Sequence, residues 1–307
     1  MSSQPPPAEA PAPLKGRKIG ISISESEDMG SLGLKPSDIN VITVDLARRL
    51  VSLGASVVLG HDWRPGGVME AVARFAMNYK SSNAAQAEPI LLNFLAAPDQ
   101  AGLSASEMDE LKDFVRIQTI NWRECAQEFL ARLEPCLKLI ADSGIPWALP
   151  LPNADEEYKN LSMERAFHLL AMRAAMTEAC DARIILGGKL RGYTGFAPGI
   201  LEEAALALAA RKPVLISSGL GGAAKAALER KSKEADDFYA RLAAADPKRS
   251  PDPFGEVQVQ SSGDLLKWVQ IMTGPEAPAP KPVVCRSTSL RSGDLVMEVI
   301  RMLRKQP

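Results

Sequence analysis

The sequence predicts an α/β fold: a Rossmann-like parallel sheet flanked by helices, with a helical C-terminal extension. Three observations predict it. Strand-like and helix-like segments alternate along the chain, the order that builds a parallel sheet covered by helices. Two strand candidates, Arg183–Leu186 and Pro213–Ser218, are short and densely apolar, as strands buried on both faces are. Three Gly-rich segments, Pro65–Gly67, Gly187–Gly188 with the loop beyond it, and Gly219–Gly222, each lie just after a strand candidate. In open parallel sheets that is the end where ligands bind.

Taken in order, Ile19–Ser24 alternates apolar and small residues and reads as the first strand. From Asp38 to Leu53, Ile39, Ile42, Leu46, Leu50 and Leu53 fall at helical spacing, and Gly54 stops the helix. Ser56–Gly60 is a second strand. His61–Gly67 is a loop, and Val68–Tyr79 a helix. Pro89–Leu95 and Val115–Ile120 are further strands, while Arg123–Ala141 and Ser162–Ala179 read as helices. Past Gly222 a long charged helix is expected to about Ala245, then a Pro-rich loop from Lys248 to Phe254. The alternation in Glu256–Gln260 suggests an edge strand, and Asp264–Met272 a short helix. Residues 274–282 read as a stiff Pro-rich linker. Leu290, Leu295, Val296, Val299, Ile300 and Leu303 make the C-terminal stretch an amphipathic helix, docked on the core or used by a partner. The domain expectation is therefore a Pro/Ala tail over 1–14, disordered and polyproline-like, one domain over 15–273, the linker over 274–282 and the helix over 283–307.

Bulk numbers narrow the function. The 307 residues suffice for one large domain, and 46% are hydrophobic. A formal net charge of -1 supplies no global field toward nucleic acid or anionic lipid, so neither is an expected partner. Anion binding must then be local. Cys125, Cys136, Cys180 and Cys285 are scattered without CxxC spacing and read as buried free thiols of a reducing compartment. With His61 and His168 the only histidines, no histidine-rich metal site is expected. The N-terminus shows neither a basic region nor an apolar run, and no stretch approaches a membrane span, so a cytoplasmic location is expected.

The segment from Gly187 to Glu203 carries the most chemistry. A strand ends in a Gly pair, an arginine-bearing glycine loop follows, and a helix opens with two carboxylates. Without Cβ atoms, backbone N–H groups approach a phosphate closely, and a helix N-terminus favours negative charge. Glutamates do not serve a phosphate; they suit ribose hydroxyls or positive charge developing on a sugar. The loop thus offers receptors for both halves of a nucleotide. Gly187, Gly188, Arg191, Tyr193, Gly195 and Gly199 are ligand candidates here, with Arg191 suited to bidentate phosphate binding and Tyr193 to stacking on a base. The alternatives are a plain turn, a solvated arginine and a packed tyrosine. Glu202 and Glu203 project about 100° apart on a helix, so only one faces a pocket squarely. Further candidates are Ser22 and Ser24 at the end of the first strand, Asp62, Arg64, Gly66 and Gly67 after the second, and Gly219, Gly221 and Gly222. Neither histidine is assigned a catalytic role.

These segments, in order from Ile19 to Gly222, resemble the SLOG superfamily, which groups Lonely Guy phosphoribohydrolases, Smf/DprA proteins and nucleotide-sensing domains of bacterial anti-phage systems. Leu59–Ala73 is similar to the Lonely Guy segment in which a Gly-rich loop leads into a helix. Ala171–Met176 followed by Cys180–Gly188 is similar to that family's run ending in "SDAFIxLPGG". The resemblance implies a catalytic role for Arg173, and for Glu203 in preference to Glu202. The chain departs from the enzyme pattern in the lengthened stretch Lys189–Pro198 before the glutamates, and Ala174 stands where a lysine follows the family arginine. In this the loop resembles defence-associated SLOG domains, which bind NAD-derived nucleotides such as cyclic ADP-ribose isomers. The resemblance implies an ADP-ribose or NAD-like ligand with no other cofactor, a homo-oligomer, and an effector partner reached through the C-terminal helix. The second reading is an N-glycosidase using Arg173 and Glu203.

Overall fold

The computed structural model describes residues 12–82, 89–97, 99, 103–145, 161–229 and 253–305. Seven parallel strands form its sheet: β1 (Lys18–Ser24), β2 (Ser56–Leu59), β3 (Leu91–Ala96), β4 (Val115–Ile120), β5 (Ala182–Gly187), β6 (Val214–Ser217) and β7 (Val284–Ser287). They lie in the order β4-β3-β2-β1-β5-β6-β7, with Ile19 facing Val57 on one side and Ala182 on the other. The chain first winds outward from β1 to β4, then crosses back over the sheet to β5 and winds the other way. The order reverses between β1 and β5, so a crevice opens beyond Ser24 and Gly187, where ligands of doubly wound folds sit.

The strand sequences explain the layers. Ile19, Ile21 and Ile23 of β1 point to one face, with Ile184 and Leu186 of β5. There they meet α1 (Asp38–Ser52), α2 (Val68–Ser82) and α9 (Ser292–Arg304) through Leu46, Leu50, Met69, Val72, Leu295 and Val299. On the opposite face Ile185, Val214 and Ile216 pack with α4 (Ala126–Asp142), α5 (Leu161–Ala179), α6 (Gly199–Ala209), α7 (Gly222–Leu228) and α8 (Pro253–Met272). A short helix α3 (Ala105–Leu111) starts from a capping box between Ser104 and Glu107. Each fully buried Ile or Leu of these layers contributes about 1.5–3 kcal/mol relative to exposure. α5 is buried almost all round from Ala166 to Thr177, which is why its polar residues bear on the site below.

Four expectations change. Glu256–Gln260 is part of the helix α8, not an edge strand; the Val-Gln alternation is shorter than the helical spacing that carries Ser261, Leu265, Trp268, Val269 and Met272 inward. Asp264–Met272 is the second half of the same helix. The helix after Gly222 ends at Leu228 with Glu229 extended; its expected continuation to Ala245, most of the Pro-rich loop and most of the N-terminal tail lie outside the described residues. After the 274–282 stretch the chain adds the strand β7 beside β6 before α9, and α9 packs on α1. The C-terminal segment therefore belongs to the same core as the sheet. No helix among the described residues is long and apolar enough to cross a membrane.

Candidate functional site

At the crevice between β1 and β5 a cavity of about 240 Å³ is lined by Ser22 and Ser24 from β1, His61 after β2, Arg173 from α5, Gly188 after β5 and Glu203 from α6. Lys189, Gly192, Tyr193 and Thr194 form its outer wall. The sheet and two helices thus converge on one pocket, with the glycine loop as its rim.

Below the cavity lies a network of two arginines and two glutamates. Arg183, the second residue of β5, has no exposed surface. Its Nη1 donates to Glu203 Oε2 at 2.6 Å and to Ser22 Oγ at 2.9 Å, and its Nη2 donates to Thr177 Oγ1 at 3.2 Å. The Ser22 hydroxyl donates in turn to the same Glu203 oxygen. Arg173 Nη1 pairs with Glu202 Oε2, and its Nε lies 3.7 Å from Glu203 Oε1. Glu202 is fully buried and also accepts the Ala197 N–H at 2.8 Å. Burial pushes the Glu202 carboxyl up, while the Arg173 guanidinium and the Ala197 N–H pull it back. The four charges cancel, which is how ionised groups tolerate such burial. The Nε atoms of Arg173 and Arg183 are buried without a hydrogen-bond acceptor.

The 100° separation of the glutamates resolves itself here. Glu203 lines the cavity, and Glu202 faces inward to brace Arg173 and the loop. Gly195 and Gly199 make room for that brace. A Cβ on Gly195 would lie 2.8 Å from both Arg173 Nη1 and Glu202 Oε1, and one on Gly199 would lie 2.5 Å from Arg173 Nη2. Gly187 has a φ of +66° and its missing Cβ would overlap the Ser24 carbonyl, so the crossing of β1 and β5 needs glycine there.

The remaining candidates separate into two groups. Tyr193 lies on the cavity wall, but its hydroxyl is bonded to Ser262 Oγ and the Gln258 carbonyl of α8, and Gln258 Nε2 donates to the Gly195 carbonyl at 2.6 Å. The long loop is thereby held onto α8, and burial raises the tyrosine pKa. The Arg191 side chain is exposed. Asp62 and Arg64 pair with each other at 2.8 Å on the surface, and the Gly66 N–H is taken by Glu70 Oε2 at 2.6 Å. Asp62, Arg64, Gly66, Gly67, Gly219, Gly221 and Gly222 do not line the cavity. Gly221 and Gly222 instead pack against the loop after β1, where Gly222 N–H donates to Asp28 Oδ2 at 2.7 Å.

Arg183 below the cavity and His61 on its wall have no assignment from the sequence. Arg183 sits in an apolar run, and its trace is Gly20 on the neighbouring strand, whose Cβ would lie 3.5 Å from the guanidinium carbon. His61 lies beside Glu203 and Asp62; burial lowers its pKa, those acids raise it, and the net direction is down. Asn93, fully buried on β3, holds the His61 loop by donating to the His61 carbonyl at 2.9 Å and accepting from Trp63 Nε1 at 2.8 Å. Among the described residues no cluster of three His, Cys, Asp or Glu side chains is arranged to hold a metal ion.

Comparison with curated proteins finds no match. A family model described as SLOG cluster2 matches residues 13–249, a span that contains six of the seven strands and every cavity residue named above. The chain belongs to the SLOG family.

Proposed function

We propose that this chain binds a nucleotide at the β1–β5 crevice and senses an NAD-derived or ADP-ribose-type molecule in a bacterial defence or signalling system. The observation that carries binding over turnover is the charge balance beneath the cavity. Glu203 is flanked by Arg183 at 2.6 Å and by Arg173 at 3.7 Å. A carboxylate whose charge is cancelled by two guanidiniums supplies little net field to an oxocarbenium-like transition state, but it remains a good acceptor for ribose hydroxyls. The cavity of about 240 Å³ is smaller than the roughly 300–1,000 Å³ of a full ligand site, which fits one ribose and its neighbour inside and the rest of a dinucleotide across the open mouth. Gly192 on the rim, where a Cβ would meet open space, lets backbone approach the ligand there. Titration calorimetry with ADP-ribose, its cyclic isomers and NAD tests the proposal. Saturable heat with at least one is the expected result; no heat from any, with the protein folded, refutes it.

The second reading is an N-glycosidase acting on a nucleoside monophosphate or NAD, with Glu203 stabilising the sugar cation. The placement of Glu203 on the cavity wall beside His61 favours it. Release of free base from AMP or NAD, followed by chromatography and abolished by Glu203→Gln, would establish it over binding alone. A homo-oligomer and an effector partner reached through α9 remain parts of the sensing proposal, tested by light scattering of wild type and of Met297→Glu on the exposed face of α9. Deleting residues 283–307 is no substitute, because β7 and α9 are built into the core and their loss is expected to unfold the chain.

A further inference from the structure

The loop after β1 reads Glu25-Ser26-Glu27-Asp28, and it lies against the glycine loop after β5. Glu27 is exposed, yet its carboxylate accepts the N–H of Leu190 at 2.9 Å through Oε1 and at 3.2 Å through Oε2, and the N–H of Arg191 at 3.2 Å. Two consecutive backbone N–H groups converging on one anion form a nest, the arrangement that receives phosphate oxygens. Next to it Lys189 Nζ pairs with Glu25 Oε2 at 3.1 Å. The loop that carries these acids is fixed from the other side: Ser26 Oγ donates to the Leu220 carbonyl, and Asp28 accepts from Gly222 N–H. Anchored residues thus alternate with projecting ones, and the two projecting carboxylates both engage the rim of the cavity.

The geometry points to Glu27 as a built-in competitor for the ligand's phosphate: its carboxylate occupies the Leu190–Arg191 nest and must leave when a nucleotide phosphate or pyrophosphate enters. This rests on the nucleotide reading above and gives that site a regulated form. A side-chain anion at high local concentration sets a threshold, so ligand engages only by exchanging one set of charge-assisted bonds for another. The exchange is feasible because Glu27 is exposed and regains hydration as it gives up its two amide contacts, whereas Ser26 and Asp28 keep the loop in place. It also moves a like charge away from the incoming phosphate and leaves Lys189 and the exposed Arg191 to face it.

Calorimetric titration of ADP-ribose and of inorganic pyrophosphate into the full chain tests the inference, using wild type, Glu27→Ala, Glu27→Gln and, as a charge-only control, Glu110→Gln on α3. Emptying the nest should tighten binding by about tenfold in Glu27→Ala, the size of one charge-assisted contact no longer displaced, with a smaller gain in Glu27→Gln, whose amide oxygen still accepts. Glu110→Gln should stay within about twofold of wild type, as expected for a screened distant charge. Far-UV circular dichroism and melting curves check that each variant is folded. Wild type and Glu27→Ala binding equally, or Glu110→Gln gaining as much as Glu27→Ala, overturns the competitor role while leaving the nucleotide site standing. Folded wild type and folded variants all failing to bind either probe overturns both.

Discussion

Replacing Arg183 with Met tests the buried network most sharply. The guanidinium is wholly buried and satisfies Glu203, Ser22 and Thr177 at 2.6, 2.9 and 3.2 Å. Met fills much of the volume but leaves the Glu203 carboxylate facing one guanidinium at 3.7 Å instead of two. Breaking a buried pair by removing one partner costs about 3–5 kcal/mol. For a chain of this size each kcal/mol lowers Tm by about 2–4 °C, so a drop of roughly 10 °C is expected. Glu203→Gln alone should cost about 2–4 kcal/mol, because it strands the Arg183 charge with only hydroxyls and an amide. The double variant removes both charges together, and its loss should fall short of the sum of the singles by at least about 1–2 kcal/mol. Urea unfolding of the four proteins, with midpoint and slope fitted separately, gives the cycle. Additive losses, or an Arg183→Met variant within about 0.5 kcal/mol of wild type, would refute the argument that this pair is coupled and buried.

Other outcomes follow from the same structure. Gly187→Ala should cost several kcal/mol in urea unfolding, about 1–2 for the left-handed backbone and more for overlap with the Ser24 carbonyl, whereas Gly16→Ala, also at positive φ but with open space around it, should cost only the backbone part. Asn93→Leu should destabilise by about 2–3 kcal/mol, since it leaves Trp63 Nε1 and the His61 carbonyl without partners, and the tryptophan emission should shift as the loop loosens. Both imidazoles should titrate below the usual 6.5 by NMR, with His61→Gln assigning the two signals; folded values below unfolded ones mean that the unfolded chain binds more protons in that window, so this part of stability is full above about pH 6.5 and is lost as pH falls through the folded values. Burial pushes the Cys136 thiol up to about 12, and burial together with the Glu298 carboxylate pushes the half-buried Cys285 thiol up to about 11, so native protein should alkylate more slowly at pH 8 than the unfolded chain; rapid labelling of Cys136 in the native state would contradict its burial.

The parts of this fold that the sequence makes legible are those with a repeated physical signal. Ile19, Ile21 and Ile23 alternate across β1, and Leu46 and Leu50 recur on α1, so pattern and burial coincide. The seven-residue helix that starts from the Ser104–Glu107 capping box has too few turns to show a periodicity, and the sequence reading does not assign it. What the sequence conceals depends on partners far along the chain. Arg183 looks like one charge in an apolar strand, and only Ser22, Thr177 and Glu203 explain its burial. Val284–Ser287 is too short and too polar to announce a strand, and it pairs only because β6 offers a free edge. The alternation in Val257–Gln260 mimics a strand because a four-residue window cannot distinguish the two periods. The glycine loops are visible as glycines, but the sequence does not say which meet the cavity. Gly188 and Gly192 do, while Gly195 accommodates Arg173 and Gly221 accommodates Asp28. Glu27 after β1 reveals its contact with the Leu190 and Arg191 amides only when the two loops are brought together.

A structure of the chain with ADP-ribose bound tests the central claim most directly. The account predicts ligand in the β1–β5 crevice, ribose hydroxyls on Glu203, phosphate on the Leu190 and Arg191 amides, and Glu27 displaced from them. Ligand bound elsewhere, or in the crevice with Glu27 still seated on both amides, would contradict it.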